Sequence, residues 1–194
     1  MTSKLKLIGL LYVVCFLLTG CSETERRKEE LLREVEKNFE NPEALFELGQ
    51  LYQDQRQWDL SEYYYDMALG FDPSYRDMQA VTVKSLKESN DPSRAQSTAD
   101  IYIRQVGSSA LESLRLGMAF QKQGLDDYAL SCYRQSLSLY PNSARVNREI
   151  GYFYLLNNDN NHAKEYLVRS FQLNPKQREV ARDLGQLGVP MRIP

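Results

Sequence analysis

The sequence predicts an all-α fold, an α-solenoid of about four helical hairpins with a capping helix at each end, and three observations predict it. Pro73, Pro141 and Pro175 fall on one 34-residue grid whose missing point is Gly107. Gly49, Gly117 and Gly151 each stand 24 residues before one of those prolines. The residues around them recur as well. Leu45, Leu48, Gly49, Tyr52, Ser61, Tyr65, Ala68 and Pro73 return as Ser113, Leu116, Gly117, Phe120, Ala129, Tyr133, Ser136 and Pro141. They return again as Asn147, Ile150, Gly151, Tyr154, Ala163, Leu167, Ser170 and Pro175. A fixed period of this length marks stacked helical repeats, each unable to bury its apolar face alone.

At the amino terminus, Lys4 and Lys6 precede an apolar run from Leu7 to Leu18 that ends in Leu18-Thr19-Gly20-Cys21. The run is shorter than the roughly 20 apolar residues that span a bilayer. A charged start, a short apolar middle and small residues at the exit describe a secretory signal over residues 1–20. Residues 21–41 hold a short tether and a helix running to about Phe39. Ser22 and Glu25 have capping-box spacing, and Leu31, Leu32, Val35 and Phe39 follow one side. The Glu and Arg on its other faces are of mixed sign and read as solvated surface.

Four windows follow, 42–75, 76–109, 110–143 and 144–175, each with room for an A helix and a B helix. Gly49, Gly117 and Gly151 on the A helices, set opposite Ser61, Ala129 and Ala163 on the B helices, predict close backbone approach. The second window is degenerate. Gln79, Thr82, Val83 and Leu86 match the A pattern poorly and Tyr102 takes a usually small position, which predicts a soft spot. It still keeps Ala95 and Ala99, and Asp91-Pro92 is a cap residue followed by a first-turn proline. Residues 176–194 close the chain. Ala181, Leu184 and Gly185 extend the grid over 178–188 as a solitary fifth A helix.

The pattern across 42–175 resembles the tetratricopeptide repeat, with its Leu-Gly and aromatic on helix A and its small, aromatic, small spacing on helix B. The resemblance implies a protein or peptide partner on the concave face, lined by A-helix positions two, five, nine, twelve and thirteen. Carried over, these are Glu43, Phe46, Gln50, Gln53 and Asp54 in the first repeat and Asp77, Ala80, Lys84, Lys87 and Glu88 in the second. The third supplies Leu111, Leu114, Met118, Gln121 and Lys122, and the fourth Arg145, Arg148, Tyr152, Leu155 and Leu156. The candidate binding residues are therefore Phe46, Gln50, Lys84, Leu114, Met118, Arg145, Arg148, Tyr152 and Leu155. Apolar residues beside paired arginines suit an extended or helical peptide. The competing expectation is that part of this patch packs on the terminal helix near Leu184 or on a second copy. The lysine and asparagine clamp with which some of these domains hold a chaperone's carboxylate is not matched, because Phe46, Gln50, Leu114 and Met118 stand at its positions.

Leu18-Thr19-Gly20-Cys21 resembles the bacterial lipobox, which implies diacylglycerol on the Cys21 thiol and cleavage after Gly20. It usually also implies acylation of the new amino terminus. Two or three acyl chains anchor stably where one is marginal. With Ser22 after the cysteine, the family's sorting habit implies the outer membrane, facing the periplasm, in a Gram-negative cell. In a Gram-positive host it implies the outer face of the cell membrane. Exported lipoproteins of this repeat type serve as pilotins for type IV pilus secretins, outer-membrane assembly subunits or adaptors for envelope proteases. An accessory subunit of that kind and a self-assembling structural lipoprotein are the alternatives to a general adaptor.

Composition agrees with such a scaffold. Loss of Lys4 and Lys6 with the signal leaves 22 basic against 26 acidic side chains, a balance that attracts no nucleic acid. Cys15 leaves with the signal and Cys21 carries lipid, so Cys132 remains as a lone thiol and no disulfide is expected. The single histidine, His162, lies on a B helix, and no zinc spacing, phosphate-cradling loop or nucleophile elbow accompanies it. No catalytic residue, cofactor or metal is expected. The run Asn157 to Asn161 lacks the glycine and glutamate of a calcium loop and reads as a turn and cap. In Tyr63-Tyr64-Tyr65, Tyr65 is the core aromatic.

Overall fold

The computed structural model describes residues 23–192, and the signal segment, Cys15, Cys21 and Ser22 lie outside that range. Among the described residues every regular element is a helix. After α1 (residues 23–37) come α2 (Pro42–Asp54), α3 (Trp58–Phe71), α4 (Arg76–Glu88), α5 (Pro92–Gln105) and α6 (Ala110–Lys122). Then follow α7 (Asp126–Leu139), α8 (Ala144–Leu156), α9 (Asn160–Leu173) and α10 (Arg178–Gln186). The chain forms two compact units, one ending at Met78 and one beginning at Gln79.

The 34-residue period is written most sharply in the turns between A and B helices. Arg56, Asn90, Gly124 and Asn158, spaced 34 apart, all have positive φ, between 56° and 70°. One residue later the chain closes the same bond each time: the amides of Gln57, Asp91, Leu125 and Asp159 donate to the carbonyls of Tyr52, Leu86, Phe120 and Tyr154. This six-to-one bond satisfies carbonyls that the helix end leaves without an amide, and it requires a left-handed residue. Asn tolerates that conformation and Gly adopts it freely, but Arg56 is strained there. Arg56→Gly should therefore stabilise the protein by up to about 1 kcal/mol, seen as a higher denaturation midpoint. An unchanged midpoint would mean that the strain is offset by the side chain.

Helix starts follow equally local rules. Asn41, Asp91, Ser109, Ser143 and Asp159 each accept a hydrogen bond from the amide three residues on, and Pro42 and Pro92 occupy the first turn. The Asn157–Asn161 run thus supplies a left-handed turn residue and a cap. His162 is exposed, with Nδ1 2.6 Å from the Asp159 carboxylate and its ring stacked on Tyr154.

Packing inside each hairpin depends on the three register glycines, and here the expected partners need correction. A methyl group built on Gly49 would stand 2.5 Å from the ring of Tyr65, one on Gly117 2.8 Å from that of Tyr133, and one on Gly151 2.7 Å from the Leu167 side chain. The glycine is a slot for the large middle residue of helix B, rather than a point opposite Ser61, Ala129 and Ala163. Those three small residues are fully buried themselves. The phenols are held too: Tyr65 donates to Gln53 at 2.7 Å, and Tyr133 donates to Gln121. On the small position after the aromatic, Ser136 and Ser170 donate to the carbonyls of Ala110 and Ala144, both at 2.7 Å.

The degenerate second hairpin nevertheless buries much of its surface. In α4, Met78 to Val83 are all buried, as are Ser85 and Leu86. Ala80, Val83 and Leu86 join Ala95 and Ala99 of α5 in the large core of the second unit. A helix without a wide charged face can be buried around most of its circumference. Tyr102 is accommodated as a half-buried residue against the same core.

The ends differ from expectation in detail. The first helix stops at residue 37, and Phe39 is exposed in the following turn, edge-on to Phe71. Leu31 is buried against Ala44 and Leu48. The capping role of Ser22 falls outside the described residues, whereas the Glu25 carboxylate accepts from Lys28 and Gln55. At the other end α10 buries Val180, Ala181 and Leu184 against Leu167 and Phe171. Gly185 meets nothing within 4 Å, and among the described residues no B helix fills its slot.

Candidate protein-binding surface

Helices α6 and α8 are neighbouring A helices of the second unit. Since they repeat with a 34-residue period, Leu111 and Arg145, Leu114 and Arg148, Met118 and Tyr152, Gln121 and Leu155, and Lys122 and Leu156 hold matching places. These places, with intervals of three, four, three and one residues, fall within about 100° around the helix and so share one broad face. Leu111, Met118 and Leu156 are 43%, 38% and 73% exposed, and Arg145 and Lys122 are exposed as well. They are three of the twelve large apolar side chains exposed among the described residues, and the three that stand at these places of α6 and α8.

The candidate residues do not all stand on that surface. Leu114 is 1% exposed and belongs to the core, and Ala80 at the same place in α4 is fully buried. Phe46, at that place in α2, is half-buried and packs on Tyr65 and Tyr75. Position five of the A helix is turned toward neighbouring side chains, so Phe46 and Leu114 act as packing residues. Gln50 is exposed, and Lys84 is half-buried with its ammonium 3.8 Å from Glu88.

In α8 the competing expectation holds in part. Tyr152 packs beside Leu167, Val180 and Leu184, and its phenol donates to Asp183 of α10 at 3.0 Å. Burial, and then the adjoining Asp183 carboxylate, push that phenol up to about 12. Arg148 is half-buried and paired with Glu149 at 2.8 Å, while Leu155 is half-buried. Arg148 and Tyr152 are thus tied to their own fold. The open portion of the face is Leu111, Met118, Lys122, Arg145 and Leu156, of which Leu111, Lys122 and Leu156 were not among the nine candidates. A choice of positions by helix face alone weighs all five places equally, whereas burial leaves places two, nine and thirteen most open.

The Cys132 thiol is fully buried on α7 and pushed up to about 12 by burial, so it behaves as a small apolar side chain. Among the described residues no helix is long and apolar enough to cross a membrane.

Comparison with known proteins follows this geometry. Residues 113–143 and 144–177 each match a tetratricopeptide repeat model. No curated protein matches the chain. Among solved structures, YrrB, described as a TPR protein with an unusual peptide-binding site, is 18% identical with a TM-score of 0.43, covering 88% of this chain and 87% of its own. MamA from Desulfovibrio magneticus RS-1 is 16% identical with a TM-score of 0.43, covering 92% and 99%. Pseudomonas aeruginosa pilF is 24% identical with a TM-score of 0.42, covering 75% and 67%. The hairpins in residues 113–177 are tetratricopeptide repeats, a fold that serves in general as a scaffold for protein–protein interaction.

Proposed function

We propose that this chain is a membrane-anchored interaction scaffold of the bacterial cell envelope, tethered by lipid on Cys21 and holding a peptide segment or partner protein on the outward face of α6 and α8. The observation that supports the binding half is the exposure of Leu111 and Met118 on α6 and of Leu156 on the neighbouring α8, at places two, nine and thirteen. Three large apolar side chains left in water together make a face that gains from being covered. The anchoring half rests on Leu18-Thr19-Gly20-Cys21 behind a short apolar run that Lys4 and Lys6 precede. With Ser22 after the cysteine, the outer membrane is the destination in a Gram-negative host.

The two halves separate experimentally. Cys21→Ser should release the protein from sedimented membranes into the soluble fraction, and retention would contradict the lipid anchor. A photo-cross-linking residue placed at Met118 or Leu156 in cells should give a discrete adduct. The same residue at Ile101, equally exposed on α5, should not. Adducts only from Ile101 would move the binding surface to the B helices.

A further inference from the structure

A lipid on Cys21 holds one end of the first unit close to a bilayer, an inference that rests on the anchoring proposed above. Cys21 stands two residues before the start of α1 at residue 23, and a link of two residues reaches at most about 7 Å. The acyl groups are therefore kept beside the first turn of α1. That turn is itself fixed to the connection between α2 and α3. The Glu25 carboxylate accepts from the Gln55 side-chain amide at 3.0 Å, and Lys28 donates to the Gln55 side-chain oxygen at 3.4 Å. These contacts lie within the unit that ends at Met78.

Three residues after Gln55 stands Trp58, the one tryptophan of the sequence, half-buried at the first position of α3. Leu60 in the same turn is 42% exposed, and Tyr63, three residues on and so on the same side of α3, is 56% exposed. A ladder of rings leads from Tyr63 back to α1. Tyr63 meets Tyr64 edge-on at 5.2 Å, Tyr64 stacks on Tyr52 at 5.3 Å, and the Lys28 ammonium lies 5.7 Å from the centre of the Tyr52 ring. Tryptophan and tyrosine beside an aliphatic side chain suit the layer between headgroups and acyl chains, where a ring buries its apolar body and keeps its polar atom wet. Charge does not draw this end to a membrane, since Arg56 is flanked in the chain by Asp54 and Asp59. The tether does, by holding it there at a high local concentration. The exposed Phe39 and Phe71 pair lies past the other end of α1, and residues 23–37 make a helix about 22 Å long.

We propose that the start of α3, with Trp58, Leu60 and Tyr63, rests in the interfacial layer of the bilayer that holds the Cys21 lipid, while the Phe39 end of α1 stands off from it.

The test uses the mature lipidated protein, purified from membranes and reconstituted into neutral phosphatidylcholine vesicles with and without bromine on the acyl chains. Flotation with the vesicles reads the anchor, and tryptophan emission reads the surface in contact. Trp58 emission should shift to the blue and lose most of its intensity in the brominated vesicles, and raised salt should leave that loss in place. The double variant Trp58→Phe with Phe39→Trp moves the reporter to the far end of α1, and its emission should be the same in both vesicles. Flotation with Trp58 unquenched, or with the two positions quenched alike, overturns the assignment while the anchor stands. Quenching that salt abolishes overturns the apolar contact. Failure of the protein to float overturns the anchor, and this inference with it.

Discussion

Gly117→Val is expected to lower stability by about 1–3 kcal/mol, the ordinary range for overpacking a close contact. The new Cβ would sit 2.8 Å from two carbons of the Tyr133 ring and 3.1 Å from the Cys132 Cβ. Neither neighbour has an easy way out. Tyr133 is fully buried, its hydroxyl donates to Gln121, and its ring lies 5.6 Å from that of Phe153 in an edge contact. At about 2–4 °C per kcal/mol for a chain of this size, melting should fall by several degrees. Gly70→Ala is the matched control. Gly70 lies within α3 with nothing inside 4 Å of a built Cβ, so alanine should gain roughly 0.5–1 kcal/mol from helix propensity alone. If both substitutions moved melting in the same direction, the slot for Tyr133 would not be the reason a glycine is needed at 117.

Leu184→Ala should cost about 2–5 kcal/mol, the range for truncating a fully buried leucine. Leu184 is 0% exposed and, with Val180 and Ala181, seals Leu167 and Phe171 at the end of the second unit. In a stack of repeats the terminal cap has one neighbour only, so its loss is felt mainly by the last hairpin. Amide exchange should accelerate across α9 and α10 while α6 and α7 stay protected. The uncovered apolar stripe should also raise the apparent mass in light scattering at high concentration. Uniform acceleration along the whole chain would mean that the hairpins unfold as one block and that α10 is no separate cap.

The hairpin period was legible because glycine and proline punctuate it, and because Leu48, Leu116 and Ile150 precede the glycines in register. The turns carry the same information in Asn90, Gly124 and Asn158, a signal present in the sequence but masked in the first repeat, where Arg56 takes the left-handed place. The partner of each register glycine was not legible from spacing. Small-against-small is a sound expectation for crossing helices, yet a large side chain set into the space of a missing Cβ achieves the same close approach with more buried area. The binding face was half legible. Matching places on A helices follow from the period, but whether a given place is open depends on its neighbours. That is why Leu114 is buried at 1% while Met118, four residues on, is 38% exposed. Tyr152 shows the same limit, since its use depends on Asp183, 31 residues away on a helix outside the repeats.

The most direct test of the central claim is a double substitution on the open face, Met118→Glu with Leu156→Glu. Both side chains are exposed, so helical content and melting temperature should stay within about 2 °C of the parent, consistent with surface changes of less than roughly 0.5 kcal/mol each. Partner capture, read as the cross-linked adduct formed in cells through a photo-reactive residue at Leu111, should disappear. An undiminished adduct with intact folding would contradict the assignment of α6 and α8 as the docking surface.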